Sequence, residues 1–102
     1  MISDYNLDIQ PEELRIVKEI LQKYVPNLAV WAFGSRVKGT AKKYSDLDLA
    51  IITDTPLTFL ESDHLREAFS ESDLVWKVDI VDWASTSESF IKIIQQRYVV
   101  IQ

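Results

Sequence analysis

The chain contains no cysteine, which excludes disulfides and thiolate-ligated metal sites and is compatible with a cytoplasmic location. It has one histidine, His64, with no second candidate ligand at a metal-binding spacing, so a solvated helix position is expected for it. No apolar stretch approaches twenty residues, and no membrane-spanning helix is expected. The opening residues, MISDYNLDIQPEE, lack the basic and apolar regions of a secretory signal. An excess of basic residues is also missing. Eleven Lys and Arg against 16 Asp and Glu leave a net charge of −5, which argues against wrapping nucleic acid as a main task. Internal repeats, low-complexity segments and linkers are absent.

What is present suits a packed core. The 102 residues are 47% hydrophobic, enough for one globular domain over 1–102 without room for a second core. Pro11-Glu12-Glu13 followed by Leu14, Val17, Leu21 and Tyr24 reads as an amphipathic helix that Pro26 and Asn27 stop. Leu28 to Phe33 and Leu47 to Ile52 read as buried strands. After a break at Thr53-Asp54-Thr55-Pro56, Leu57, Leu60, Leu65, Ala68 and Phe69 line a second helix, and Trp76 to Val81 forms a third strand. Ser85 and Glu88 have the spacing of a capping box before a helix whose apolar side is Phe90, Ile91, Ile94 and Tyr98. The tail Val99-Val100-Ile101 is β-prone, suited to an edge strand or a partner contact. The expected architecture is α/β (α+β), with helices on a small mixed β-sheet and the second and third strands parallel.

One stretch carries chemistry: WAFGSRVKGTAKKYSDLDLAII, from Trp31 to Ile52. Gly34 permits a sharp turn and a close approach by phosphate. If Ser35 opens a helical turn, its hydroxyl and the free N–H groups behind it form an anion site. Asp46 and Asp48, two apart, leave the same side of a strand and repel each other unless a cation lies between them. Mg²⁺ suits such a pair, because it binds through one or two carboxylates and completes its shell with water and phosphate oxygens. Arg36, Lys38, Lys42 and Lys43 lie beside the turn, with Arg36 nearest to where a triphosphate would sit. A solvated basic loop is the alternative account of that cluster.

The pattern Gly34-Ser35-x10-Asp46-x-Asp48, with Arg36, Gly39 and Ser45 between, resembles the signature of the DNA polymerase β-like nucleotidyltransferase superfamily. The string GSRVKGTAKKYSDLDLAI is similar to its minimal nucleotidyltransferase branch, and the resemblance extends over essentially the whole chain. A GS-x10-DxD string should arise by chance in roughly one chain in a thousand of this length, from typical residue frequencies. The resemblance implies a polymerase β-like fold and places Gly34, Ser35, Arg36 and Ser45 at the nucleotide. It also implies a third metal-ligating aspartate on a neighbouring strand.

Asp79 matches that third position. It sits mid-strand among apolar residues, where a lone buried carboxylate should be paired, protonated or metal-bound, and Lys77 is close enough for only a strained local pair. Asp82, at the strand end, is the competitor and fits a solvated turn better. Asp46, Asp48 and Asp79 would then hold two Mg²⁺ ions about 3.5–4 Å apart and transfer a nucleoside monophosphate from ATP to a hydroxyl. The resemblance further implies a HEPN-type helical partner in a hetero-oligomer, with the chain acting as an antitoxin that transfers AMP to a tyrosine of that partner. Larger members of the superfamily that the chain resembles carry extra acceptor-binding domains, so the acceptor site is expected to come from another polypeptide. Trp31, Trp76, Trp83 and Tyr98 are candidates for the partner surface or for buried aromatics at the sheet rim. A non-catalytic nucleotide-binding module that masks the helical partner is the alternative function.

Overall fold

A computed structural model describes residues 7–102; residues 1–6, on which part of the no-signal reading rests, lie outside the described residues. Four strands, β1 (Ala29–Phe33), β2 (Leu47–Ile52), β3 (Val78–Asp82) and β4 (Val99–Val100), form one sheet in the order β3-β2-β1-β4. The helices are α1 (Pro11–Tyr24), a single turn α2 (Ser35–Lys38), α3 (Phe59–Ser70) and α4 (Glu88–Gln96). β2 and β3 are parallel, as a helical crossover requires, whereas β1 runs antiparallel to both β2 and β4.

Strand alternation divides the residues between two faces. Val30 and Ala32 of β1, Leu47, Leu49 and Ile51 of β2, and Ile80 of β3 meet Val17 and Leu21 of α1 and Leu65 and Phe69 of α3 in the main core. Leu47, Leu49 and Ile51 are fully buried, so truncating any of them to Ala should cost about 2–5 kcal/mol. The opposite face carries Phe33, Ala50 and Val81, covered by Phe90 and Ile94 of α4. α4 is short, and it leaves one end of this face open. The open end holds Asp48 and Asp79.

Local chemistry fixes the ends. α1 starts at Pro11, and Gln10 N–H donates to Glu13 Oε1 at 2.8 Å across its first turn. Thr58 and Glu61 form a capping box that starts α3 at Phe59, which leaves Phe59 and Leu60 exposed rather than in the buried stripe assigned to Leu60. The cap of α4 is Ser87, which accepts from Phe90 N–H at 3.3 Å, and not Ser85, because Trp83–Ser85 is drawn into a 3₁₀ turn. Tyr98 lies beyond α4 and stacks on Trp31 at 4.1 Å between ring centroids, while Trp83 meets Trp31 edge-on at 5.1 Å. Trp76 is buried in the main core. The tail does add the edge strand β4.

Candidate active site

β1 ends at Phe33, directly opposite Asp48 on β2, and the chain then turns at Gly34. Gly34 has φ 85° and ψ −157°, a conformation essentially reserved to glycine. A Cβ at Gly34 would stand 2.2 Å from Asp48 Oδ2, so the missing side chain is what brings the turn against the carboxylate. Ser35 opens the one-turn α2, and Gly39, in the left-handed region at φ 78°, ends it. The turn anticipated at Ser35 is present.

On the other side, Asp48 is paired in register with Asp79 of β3. Neighbouring strands lie about 4.8 Å apart, so the two carboxylates leave the same face side by side. Asp46 immediately precedes β2 and is half-buried. The Asp48 carboxyl is pushed up from 3.8 to about 6, first by burial and then by the charges of Asp79 and Asp46. Asp48 therefore already feels both of the other aspartates as uncompensated negative charge.

Gly34, Asp48 and Asp79 line a cavity of about 280 Å³, walled by Phe33, Val81, Phe90 and Ile93, with Lys38 as its cation. A larger groove of about 520 Å³ between α3 and the outer edge of β3 also reaches Asp79, but it contains no other carboxylate and no glycine turn. The smaller cavity is the one with chemistry. Among the described residues no three histidine, aspartate or glutamate side chains are gathered closely enough to hold a metal ion together, and of the three aspartates Asp48 and Asp79 line the cavity. The donor set nevertheless fits Mg²⁺, a hard cation that takes one or two carboxylates and leaves the remaining positions to water and phosphate oxygens. The mutual repulsion registered at Asp48 is what a cation there would relieve.

Four expectations change. Asp79 is exposed, not buried, because β3 is an edge strand and α4 stops short of it; no ion pair with Lys77 is present among the described residues. Arg36 points away from the cavity. It is buried, and its guanidinium donates to the carbonyls of Ser45, Asp8, Lys42 and Lys43. Ser45 is used in the same loop, its Oγ accepting from Lys42 N–H at 2.8 Å and its carbonyl from Arg36. Both are engaged within the loop before β2. Asp82, expected to be solvated, braces the far end of the sheet by accepting from Thr53 Oγ1 and from Leu57 N–H at 2.7 Å. His64 is exposed on α3, as anticipated. Lys38, left without a role by sequence reasoning, faces the cavity; its position in the final residue of a one-turn helix was the available signal.

Comparison with known proteins bears on the family and the fold. The profile of the family described as "Nucleotidyltransferase domain" matches residues 14–101. A Haemophilus influenzae relative, "Probable protein adenylyltransferase MntA", is 68% identical over 102 residues, covering 100% of this chain and 90% of the relative. Among solved structures, a toxin–antitoxin crystal structure with AMP-PNP superposes with a TM-score of 0.74 at 24% identity, covering 87% of this chain and 72% of that one. A tri-AMPylated Shewanella oneidensis HEPN toxin in complex with MNT antitoxin gives a TM-score of 0.68 at 22% identity, covering 92% of this chain and 72% of that one. At these identities the two structures speak to the fold.

Proposed function

We propose that this chain, which belongs to the nucleotidyltransferase domain family, transfers AMP from ATP to a tyrosine of a HEPN-type helical partner and acts as the antitoxin of that pair. The observation that carries the reading is the cradle in which Gly34 lies against Asp48 while Asp79 stands in register beside it. The relative named as a protein adenylyltransferase and the fold neighbours that contain an AMPylated toxin or AMP-PNP support the choice of AMP and of a protein acceptor.

Asp46, Asp48 and Asp79 would hold Mg²⁺, as two ions. When bound, the metal neutralises phosphate charge and lowers the pKa of the acceptor hydroxyl. The α2 turn at Ser35 and the ammonium of Lys38 hold the β- and γ-phosphates, and Gly34 lets them approach the carboxylates. The acceptor oxygen attacks the α-phosphorus in line with the departing pyrophosphate, forming one P–O bond as the other breaks. Asp79, exposed at the cavity mouth, takes the acceptor proton. The apolar wall of Val81, Phe90 and Ile93 shields that step from bulk water and offers a surface to an aromatic acceptor. Among the described residues no helix is long and apolar enough to cross a membrane, in keeping with a cytoplasmic role.

The test mixes the chain with its helical partner, Mg²⁺ and α-labelled ATP and locates the label by intact mass. One AMP gained on a partner tyrosine, and lost in Asp46→Ala, is the expected result. A tight complex with no label on either chain would replace the enzyme by a masking module.

A further inference from the structure

Arg36 follows the phosphate turn by one residue, yet its guanidinium is directed into the protein. It is 5% exposed. Nε donates to Ser45 O at 3.0 Å, one terminal nitrogen to Asp8 O at 2.9 Å, and the other to Lys43 O at 3.1 Å with Lys42 O at 3.4 Å. Its central carbon lies 4.7 Å from the centroid of the Trp76 ring. A buried cation is costly, and here it is compensated by carbonyl dipoles and an aromatic face instead of a carboxylate.

The identity of the segments matters. Ser45 is the residue before Asp46, Trp76 comes three residues before Asp79, and Arg36 itself adjoins Ser35. One planar group thus ties together the phosphate turn, the loop that enters β2 and the segment that enters β3. Lysine offers a single ammonium and cannot span these acceptors, whereas the guanidinium presents five N–H donors in a rigid fork. Ser45 Oγ tightens the same loop through Lys42 N–H.

We infer that Arg36 is a positioning residue: it fixes the spacing between the phosphate turn and the two carboxylate strands, thereby sets the divalent-cation affinity of the site, and makes no contact with phosphate. This rests on the reading of the cavity as a metal–nucleotide site. Supporting groups behind metal ligands typically change affinity by about 10–100-fold when altered.

The experiment titrates the full chain with Mn²⁺, following free ion by electron paramagnetic resonance, and measures ATP and AMP affinities by calorimetry at saturating Mn²⁺. Arg36→Lys is expected to raise the half-saturating Mn²⁺ concentration about tenfold or more. Ser45→Ala should shift it in the same direction by less, and neither variant should alter the ratio of ATP to AMP affinity. A fall in that ratio with unchanged Mn²⁺ binding would make Arg36 a phosphate ligand and overturn the inference. So would a lowered melting temperature in folded variants that bind Mn²⁺ normally, since that is a structural role alone. If Arg36→Lys does not fold, Ser45→Ala decides, and an unshifted titration there refutes the inference. A wild type that binds no Mn²⁺ would overturn the metal reading and this inference with it.

Discussion

Asp48→Asn should stabilise the metal-free protein while abolishing its activity. The wild-type carboxyl titrates at about 6 instead of 3.8, because burial and the charges of Asp79 and Asp46 disfavour its ionised form. At roughly 1.36 kcal/mol per pH unit, a shift of that size corresponds to about 3 kcal/mol. Asp48 is only half-buried, so solvent screening reduces the expectation to about 1–2 kcal/mol. The sign follows from linkage: a carboxyl whose pKa is higher in the folded than in the unfolded state is protonated in both below about pH 3, where the cost is absent. The cost grows as pH rises through the interval from about 4 to about 6 and is complete above it. In a chelator at pH 7.5, Asp48→Asn should therefore melt about 4–16 °C above wild type, given about 4–8 °C per kcal/mol for a chain of this size. At about pH 3, below the unfolded-state value of 3.8, the two should coincide, and Mg²⁺ at pH 7.5 should raise the wild type alone. Calorimetric scans across this pH range make the comparison. A mutant that melts no higher than wild type at pH 7.5, or an advantage that persists undiminished at about pH 3, would refute the electrostatic account of the site.

Gly34→Ala places a methyl group 2.2 Å from Asp48 Oδ2 at a backbone φ of 85°, so it should cost about 1–3 kcal/mol of stability. It should also lower AMP transfer at least a hundredfold, since small displacements of reacting groups cost about that much; denaturant melts and a labelled-ATP assay read the two effects. Asp82→Ala leaves Thr53 Oγ1 and Leu57 N–H without their acceptor, for a loss of about 1–3 kcal/mol. Its KM for ATP in the folded fraction should match wild type, and a changed KM would connect that end of the sheet to the site. Activity at low Mg²⁺ should fall as pH drops through about 6, where Asp48 takes up a proton, and the midpoint should move lower as Mg²⁺ competes with it. Rate profiles at two metal concentrations measure this, and a metal-independent midpoint would assign the titration to another group.

Much of this was written in local pattern. A short apolar run identifies β2, and the spacing of Asp46 and Asp48 puts both on the face that Leu47 and Leu49 do not use. The crossover through α3 dictates a parallel β2–β3 pair, and that pairing brings Asp79 beside Asp48. Caps were harder to place. Ser85 and Ser87 compete for one helix start, and the 3₁₀ turn at Trp83–Ser85, held by Thr86 Oγ1 on Asp82 O at 2.7 Å, decides in favour of Ser87.

The direction in which a polar side chain points was not legible in that way. Arg36, Asp79 and Asp82 are read from sequence as a phosphate ligand, a buried carboxylate and a solvated one. Each depends on partners that are distant along the chain. Arg36 turns inward because Trp76 and four carbonyls converge behind α2. Asp79 meets solvent because its strand is an edge and α4 is short, while Asp82 is claimed by Thr53 and Leu57. The sequence by itself determined the elements, the glycine turn and the order of the carboxylates, since these follow from backbone preference and period. Only the tertiary structure decided which charges face the cavity and which are spent holding the fold, because that choice is made by groups that local pattern does not bring together.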